Sequence, residues 1–130
     1  MRAMRFIPLL LVALLLPWGV GAAAPEEPPA DHAVIVQFQY GSKDLQPLFQ
    51  VEDELRAAIK KAKVGELDGH ETTPDGRGGF IYMHGPDADR LLEVVEPILE
   101  STAFMKGAKI TRRYGPAKGG VKQTTTFIAR

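Results

Sequence analysis

Glu66, Asp68, His70 and His84 fall within one stretch of about 20 residues. Imidazoles and carboxylates brought together can ligate zinc, copper or nickel, or can pass protons as an acid–base pair. Whether these four meet depends on the chain between them. Residues 65–71 and 80–84 flank Thr72-Thr73-Pro74-Asp75-Gly76-Arg77-Gly78-Gly79, a hairpin signal. Pro-Asp-Gly suits a type I turn that closes a three-residue loop, with Thr73 opposite Arg77. In that register Glu66 faces His84, Asp68 faces Tyr82 and His70 faces Phe80. Both imidazoles and both carboxylates then share one side within about two cross-strand steps, and Leu67 falls on the other side with Ile81 and Met83. Gly78 and Gly79 leave room for a bulge. His32 is the only other histidine, and the spacing matches no compact metal motif. Ordinary cross-strand pairing on a solvated hairpin face is therefore favoured over a metal site or acid–base catalysis.

The elements that would position this hairpin are readable from periodicity. In Ala33–Tyr40, Val34, Val36, Phe38 and Tyr40 alternate with Ile35, Gln37 and Gln39, the period-two signature of a strand. Leu48, Val51, Leu55, Ala58, Ile59 and Ala62 recur at helical spacing, with Glu52, Asp53, Lys60 and Lys61 between them. A second helix starts after Gly85-Pro86 with Asp87 and Asp89 in its first turn. It carries an apolar stripe of Ala88, Leu91, Leu92, Val95, Ile98 and Leu99, and Pro97 near its end. Residues 107–114 read as a strand, 115–120 as a turn and 121–129 as a closing strand. The order predicts an α+β fold, a ferredoxin-like β-α-β-β-α-β two-layer sandwich with an extra C-terminal strand. Two helices with one apolar stripe each cover only one face of an antiparallel sheet, so the other face is expected to stay open.

Residues 1–24 place Arg2 and Arg5 before an apolar run from Phe6 to about Val20 and end in Ala22-Ala23-Ala24, the plan of a secretory signal peptide. The run is shorter than the ~20 residues that span a bilayer and contains Pro8 and Pro17, so no membrane span is expected after cleavage. Residues 25–31 read as a Pro-rich disordered leader and 32–130 as a single domain. The expected location is exported, periplasmic or extracellular. With no cysteine, disulfides, thiolate nucleophiles and Cys-ligated metals are excluded.

Sixteen basic residues balance sixteen acidic ones, but unevenly. Residues 101–130 hold seven Lys and Arg and no acid, whereas residues 25–100 hold seven basic residues against sixteen acidic ones. A basic C-terminal hairpin could meet an anionic surface; the favoured alternative is that it neutralises the acidic elements beside it and guards a sheet edge.

The segments Gly65-Glu66-Leu67-Asp68-Gly69-His70-Glu71, Tyr82-Met83-His84-Gly85-Pro86-Asp87-Ala88-Asp89, Val95-Glu96-Pro97-Ile98-Leu99 and Gly107-Ala108-Lys109-Ile110 through Arg113-Tyr114-Gly115 together resemble a group of uncharacterised small bacterial proteins. The resemblance spans roughly residues 64–115. It implies a genuine domain and transfers no activity, substrate or site residue. The group is expected to have an amide and an aromatic residue in place of His70 and His84, so a histidine-based site would belong to this chain alone.

The leading expectation is an exported, non-enzymatic binding or interaction domain. It would use the open sheet face or the basic hairpin, with Arg112, Arg113, Lys122 and Tyr82 as contact residues. Its partner would be a protein or an anionic surface, and two copies could pair as a homodimer. Nucleic acid is disfavoured by export and by a basic hairpin, residues 107–129, with only Tyr114 and Phe127 to stack on bases. The rivals are a small metal-dependent hydrolase with ligands His70, His84, Asp68 and Glu66, and an immunity or inhibitor protein. No G-x-S-x-G or phosphate loop is present, and no cofactor is implied.

Overall fold

The computed structural model describes residues 29–130. The signal peptide expected over 1–24 and most of the leader expected over 25–31 lie outside the described residues. The elements are β1 (His32–Gln39), α1 (Gln46–Ala62), β2 (Glu66–Thr72), β3 (Gly78–Gly85), α2 (Ala88–Glu100), a 3₁₀ turn (Ala103–Met105), β4 (Lys109–Arg113) and β5 (Gln123–Phe127). The five strands form one antiparallel sheet in the order β2-β3-β1-β4-β5. This is the ferredoxin-like two-layer α+β sandwich with an extra strand that the element order predicts. Among the described residues no helix is long and apolar enough to cross a membrane.

Alternation builds the core. Val34, Val36 and Phe38 of β1, Ile81 and Met83 of β3, Leu67 of β2 and Ile110 of β4 point to the helical side and are buried. Leu48, Val51, Leu55 and Ile59 of α1 and Ala88, Leu91, Leu92, Val95 and Leu99 of α2 meet them. Each large side chain fully buried in this way contributes about 1.5–3 kcal/mol. α1 ends where Lys63 takes a left-handed conformation (φ 57°) and its N–H returns to the last turn. α2 starts at Asp87, whose side chain accepts the N–H groups of Asp89 and Arg90. The ring of His32 adds to that cap, its Nδ1 accepting the Ala88 N–H at 3.1 Å.

Two local features depart from the expected hairpin. Thr73 N–H bonds to the Gly78 carbonyl and Gly76 N–H to the Thr73 carbonyl, both at 2.9 Å, so Pro74–Arg77 form a four-residue loop. Asp75 holds it closed by accepting from Thr73 Oγ1 at 2.6 Å and from the Arg77 N–H at 3.0 Å. Those two bonds, the Thr73 hydroxyl first, hold the Asp75 carboxyl below its ordinary pKa. The extra loop residue is absorbed by a bulge between Leu67 and Gly69, where Gly69 takes φ +147°.

Candidate functional site

The bulge decides which residues share a face. Above it Glu66 pairs with His84 and Leu67 with Met83, as expected. Below it the pairs become Gly69 with Tyr82, His70 with Ile81 and Glu71 with Phe80. A one-residue shift moves a side chain to the opposite face of a sheet. His70 therefore points to the helical side, and the expectation that it faces Phe80 on the same side as His84 is corrected. There His70 Nδ1 lies 2.8 Å from Glu52 Oε1, with the Phe49 ring 5.8 Å from the imidazole. Glu52, expected between the apolar positions of α1, is 5% exposed, and the register shift is what supplies its partner.

On the other side, His84 Nδ1 pairs with Asp68 Oδ1 at 2.6 Å, and Glu66 stands in the same row as His84. Asp68, in the bulge, reaches His84 instead of facing Tyr82. The four expected metal ligands are thus divided between two faces. Among the described residues no three His, Asp or Glu side chains gather closely enough to hold a metal ion.

The uncovered face consists of three rows across the sheet. One is Glu66, His84, Ala33, Arg113 and Gln123; the second is Gly69, Tyr82, Ile35, Thr111 and Thr125; the third is Glu71, Phe80, Gln37, Lys109 and Phe127. Its middle is apolar at Tyr82 and Ile35 with Phe80 and Ala33 beside them, His84 and Gln37 are the polar residues of the central strands, and β2 and β4 carry the charge. The Phe80 and Tyr82 rings stack with centroids 5.9 Å apart and planes at 14°. Tyr82 donates its hydroxyl to Glu71 Oε1 at 2.6 Å, and that bond is the main reason the phenol's pKa rises above its ordinary value. Phe127 is 66% exposed. Phe80, Ile35 and Glu71 were not singled out in the sequence as contact residues; the period-two pattern of β3 and β1 carries the first two, whereas Glu71 reaches this face only through the bulge in β2.

The basic C-terminal residues are divided too. Arg112 faces the helical side, where it donates to Asp89 Oδ1 at 2.9 Å. Tyr114 donates to the same oxygen at 2.6 Å, and the Lys122 ammonium sits 5.2 Å from the centre of the Tyr114 ring. Arg113 lies on the uncovered face with its Nε bonded to the Gly115 carbonyl at 2.8 Å. Arg112, Arg113 and Lys122 therefore do not form one basic patch, and Tyr82 belongs to the apolar centre of the face.

The Tyr114 hydroxyl is the main cause that holds Asp89 below the ordinary carboxylate range; burial, next in size, opposes it, and the Arg112 guanidinium and the Lys122 ammonium add to the lowering. A depressed carboxylate stabilises the fold above its unfolded pKa of about 3.9 and loses that contribution as pH falls through its folded value. Asp89→Asn is accordingly expected to lower the urea midpoint at neutral pH. The gap to the unchanged protein should close as pH drops below about 4. A gap that stays constant with pH would remove the carboxylate's charge from the explanation.

Comparison of the chain with protein-family models, with curated proteins and with solved structures finds no match in any of the three. The face is therefore read from its own residues.

Proposed function

We propose that this protein is an exported, non-enzymatic interaction domain that binds a protein partner through the uncovered face of its sheet. The observation that carries the reading is the stacked Phe80–Tyr82 pair beside Ile35 on the face that neither α1 nor α2 covers. An antiparallel sheet can leave one face to water when that face is polar, whereas aromatic and branched apolar residues at its centre favour contact with another surface. The ionisable groups there support binding over catalysis, because Asp68 pairs with His84 and Glu71 with Tyr82 instead of converging on an enclosed cavity. Export is supported by Arg2 and Arg5 ahead of the apolar run and the small residues at 22–24, and places the domain in the periplasm or outside the cell.

The test is photo-cross-linking in the producing cells. A benzophenone side chain replaces Gln37, which is exposed in the third row, or Glu54, which is exposed on α1. A cross-linked product from position 37 and none from position 54 is the expected result. Equal products from both positions, or none from either, would remove the face from consideration. Recovery of the protein with residues 1–24 attached would end the exported reading.

A further inference from the structure

We infer that the occupant of the uncovered face is a second copy of this chain, packed sheet to sheet about a two-fold axis parallel to the strands and lying between β1 and β3. The inference rests on the reading of this face as an interaction surface and adds the identity of the partner.

The distribution of charge across the rows carries it. The two central strands hold Ile35, Phe80 and Tyr82 together with Ala33, Gln37 and His84, β2 on one flank holds Glu66, Asp68 and Glu71, and β4 on the other holds Lys109 and Arg113. Rotation about an axis parallel to the strands keeps every row at its own height while exchanging left and right. It lays β3 over β1 of the second copy and β2 over its β4. Glu66 and Arg113 belong to the same row, and Glu71 and Lys109 to another. Glu66 and Glu71 therefore each meet a base of the second copy in their own row, while Asp68 keeps its partner His84, and two-fold symmetry makes both pairs twice. Tyr82 comes over Ile35 in the middle row, giving an apolar centre inside a charged rim, the common anatomy of a protein interface.

The same charges reject the other sheet-to-sheet dimer. An axis perpendicular to the strands would lay β2 on β2 and β4 on β4, so acids would face acids and bases would face bases, at a cost. β5 falls outside the four-strand overlap, where Phe127 overhangs the β2 edge of the second copy. Sheets pack about 10 Å apart with their strands within about 30° of each other, so the charged side chains can reach across. Four strands at a spacing of about 4.8 Å make a footprint below the ~800 Å² per partner of a standard interface. Association should therefore depend on concentration.

Sedimentation equilibrium on the mature protein tests this with four chains. They are the unchanged protein, Glu66→Lys with Glu71→Lys, Lys109→Glu with Arg113→Glu, and all four substitutions together. The unchanged protein and the fourfold variant are expected to dimerise with similar affinity. Each double variant should be weakened by about tenfold or more, because attractive pairs become repulsive, and an equimolar mixture of the two doubles should recover the dimer. Circular dichroism and urea midpoints confirm that each variant folds. A protein that stays monomeric at the highest soluble concentration overturns the second copy as partner; the binding face then still stands if the position 37 product has the mass of this chain plus a different protein. A dimer untouched by any of the reversals overturns the sheet-to-sheet arrangement, and if position 37 also gives no product the face itself falls. A dimer weakened in the fourfold variant as much as in the doubles overturns the choice of axis.

Discussion

Gly65→Ala is expected to destabilise the domain by more than about 4 kcal/mol, in the exceptional range for a single substitution, and to lower the melting temperature by roughly 15–30 °C. A Cβ at Gly65 would stand 2.0 Å from the His84 carbonyl oxygen and 3.0 Å from the Gly85 Cα, and the residue has φ +148°. Gly69 separates the two causes. It has nearly the same φ, +147°, with nothing within 4 Å of its would-be Cβ. Gly69→Ala therefore carries only the conformational cost, about 1–3 kcal/mol. Equal losses at the two positions would show that the contact with His84 contributes nothing. The contact matters to the site because Gly65 and Gly85 bring the start of β2 against the end of β3, where Glu66 and His84 pair.

His70→Val is expected to cost about 1–3 kcal/mol, since it leaves a buried carboxylate without its one hydrogen-bond partner. Glu52 is 5% exposed, and among the described residues its Oε1 is bonded only to His70 and its buried Oε2 has no partner. The double variant Glu52→Met, His70→Val should return to within about 1 kcal/mol of the unchanged protein, because replacing a buried polar pair by apolar residues of similar volume is often neutral or better. Urea unfolding of the two singles and the double measures the coupling. Additive losses would mean that the two side chains do not act as a unit. A positive result would assign His70 a structural role beneath α1.

The element order was legible because it rests on periodicity. Val34, Val36 and Phe38 had to share a face, and Leu48, Val51, Leu55 and Ile59 a stripe, whatever they packed against. Two stripes were enough to cover one face, so the uncovered face followed as well. The composition of that face was only partly legible. Tyr82 was anticipated, but placing its stack on Phe80 beside Ile35 required the register of β3 against β1.

The hairpin shows where local pattern stops being sufficient. Pro74-Asp75-Gly76 is compatible with a three- or a four-residue loop, and nothing within the turn separates them. The choice follows from packing: Leu67 and Met83 stay on the helical side above the bulge, and His70 reaches Glu52 below it. The turn's extra residue and the bulge at Asp68–Gly69 compensate each other, so Glu66 meets His84 as expected while His70 goes to the opposite face. Similarly, the basic C-terminal segment was visible as composition. Its division came from strand alternation, which sends Arg112 to Asp89 and Arg113 to the uncovered face.

The sequence by itself determined the strands and helices, their order, the buried sides of β1 and β3, and the segregation of acidic from basic residues along the chain. Those follow from period and composition, which are local. Only the tertiary structure decided which charges share a row and which histidine meets which carboxylate. Cross-strand neighbours are set by register, and register is settled by the energy of the whole packed sheet.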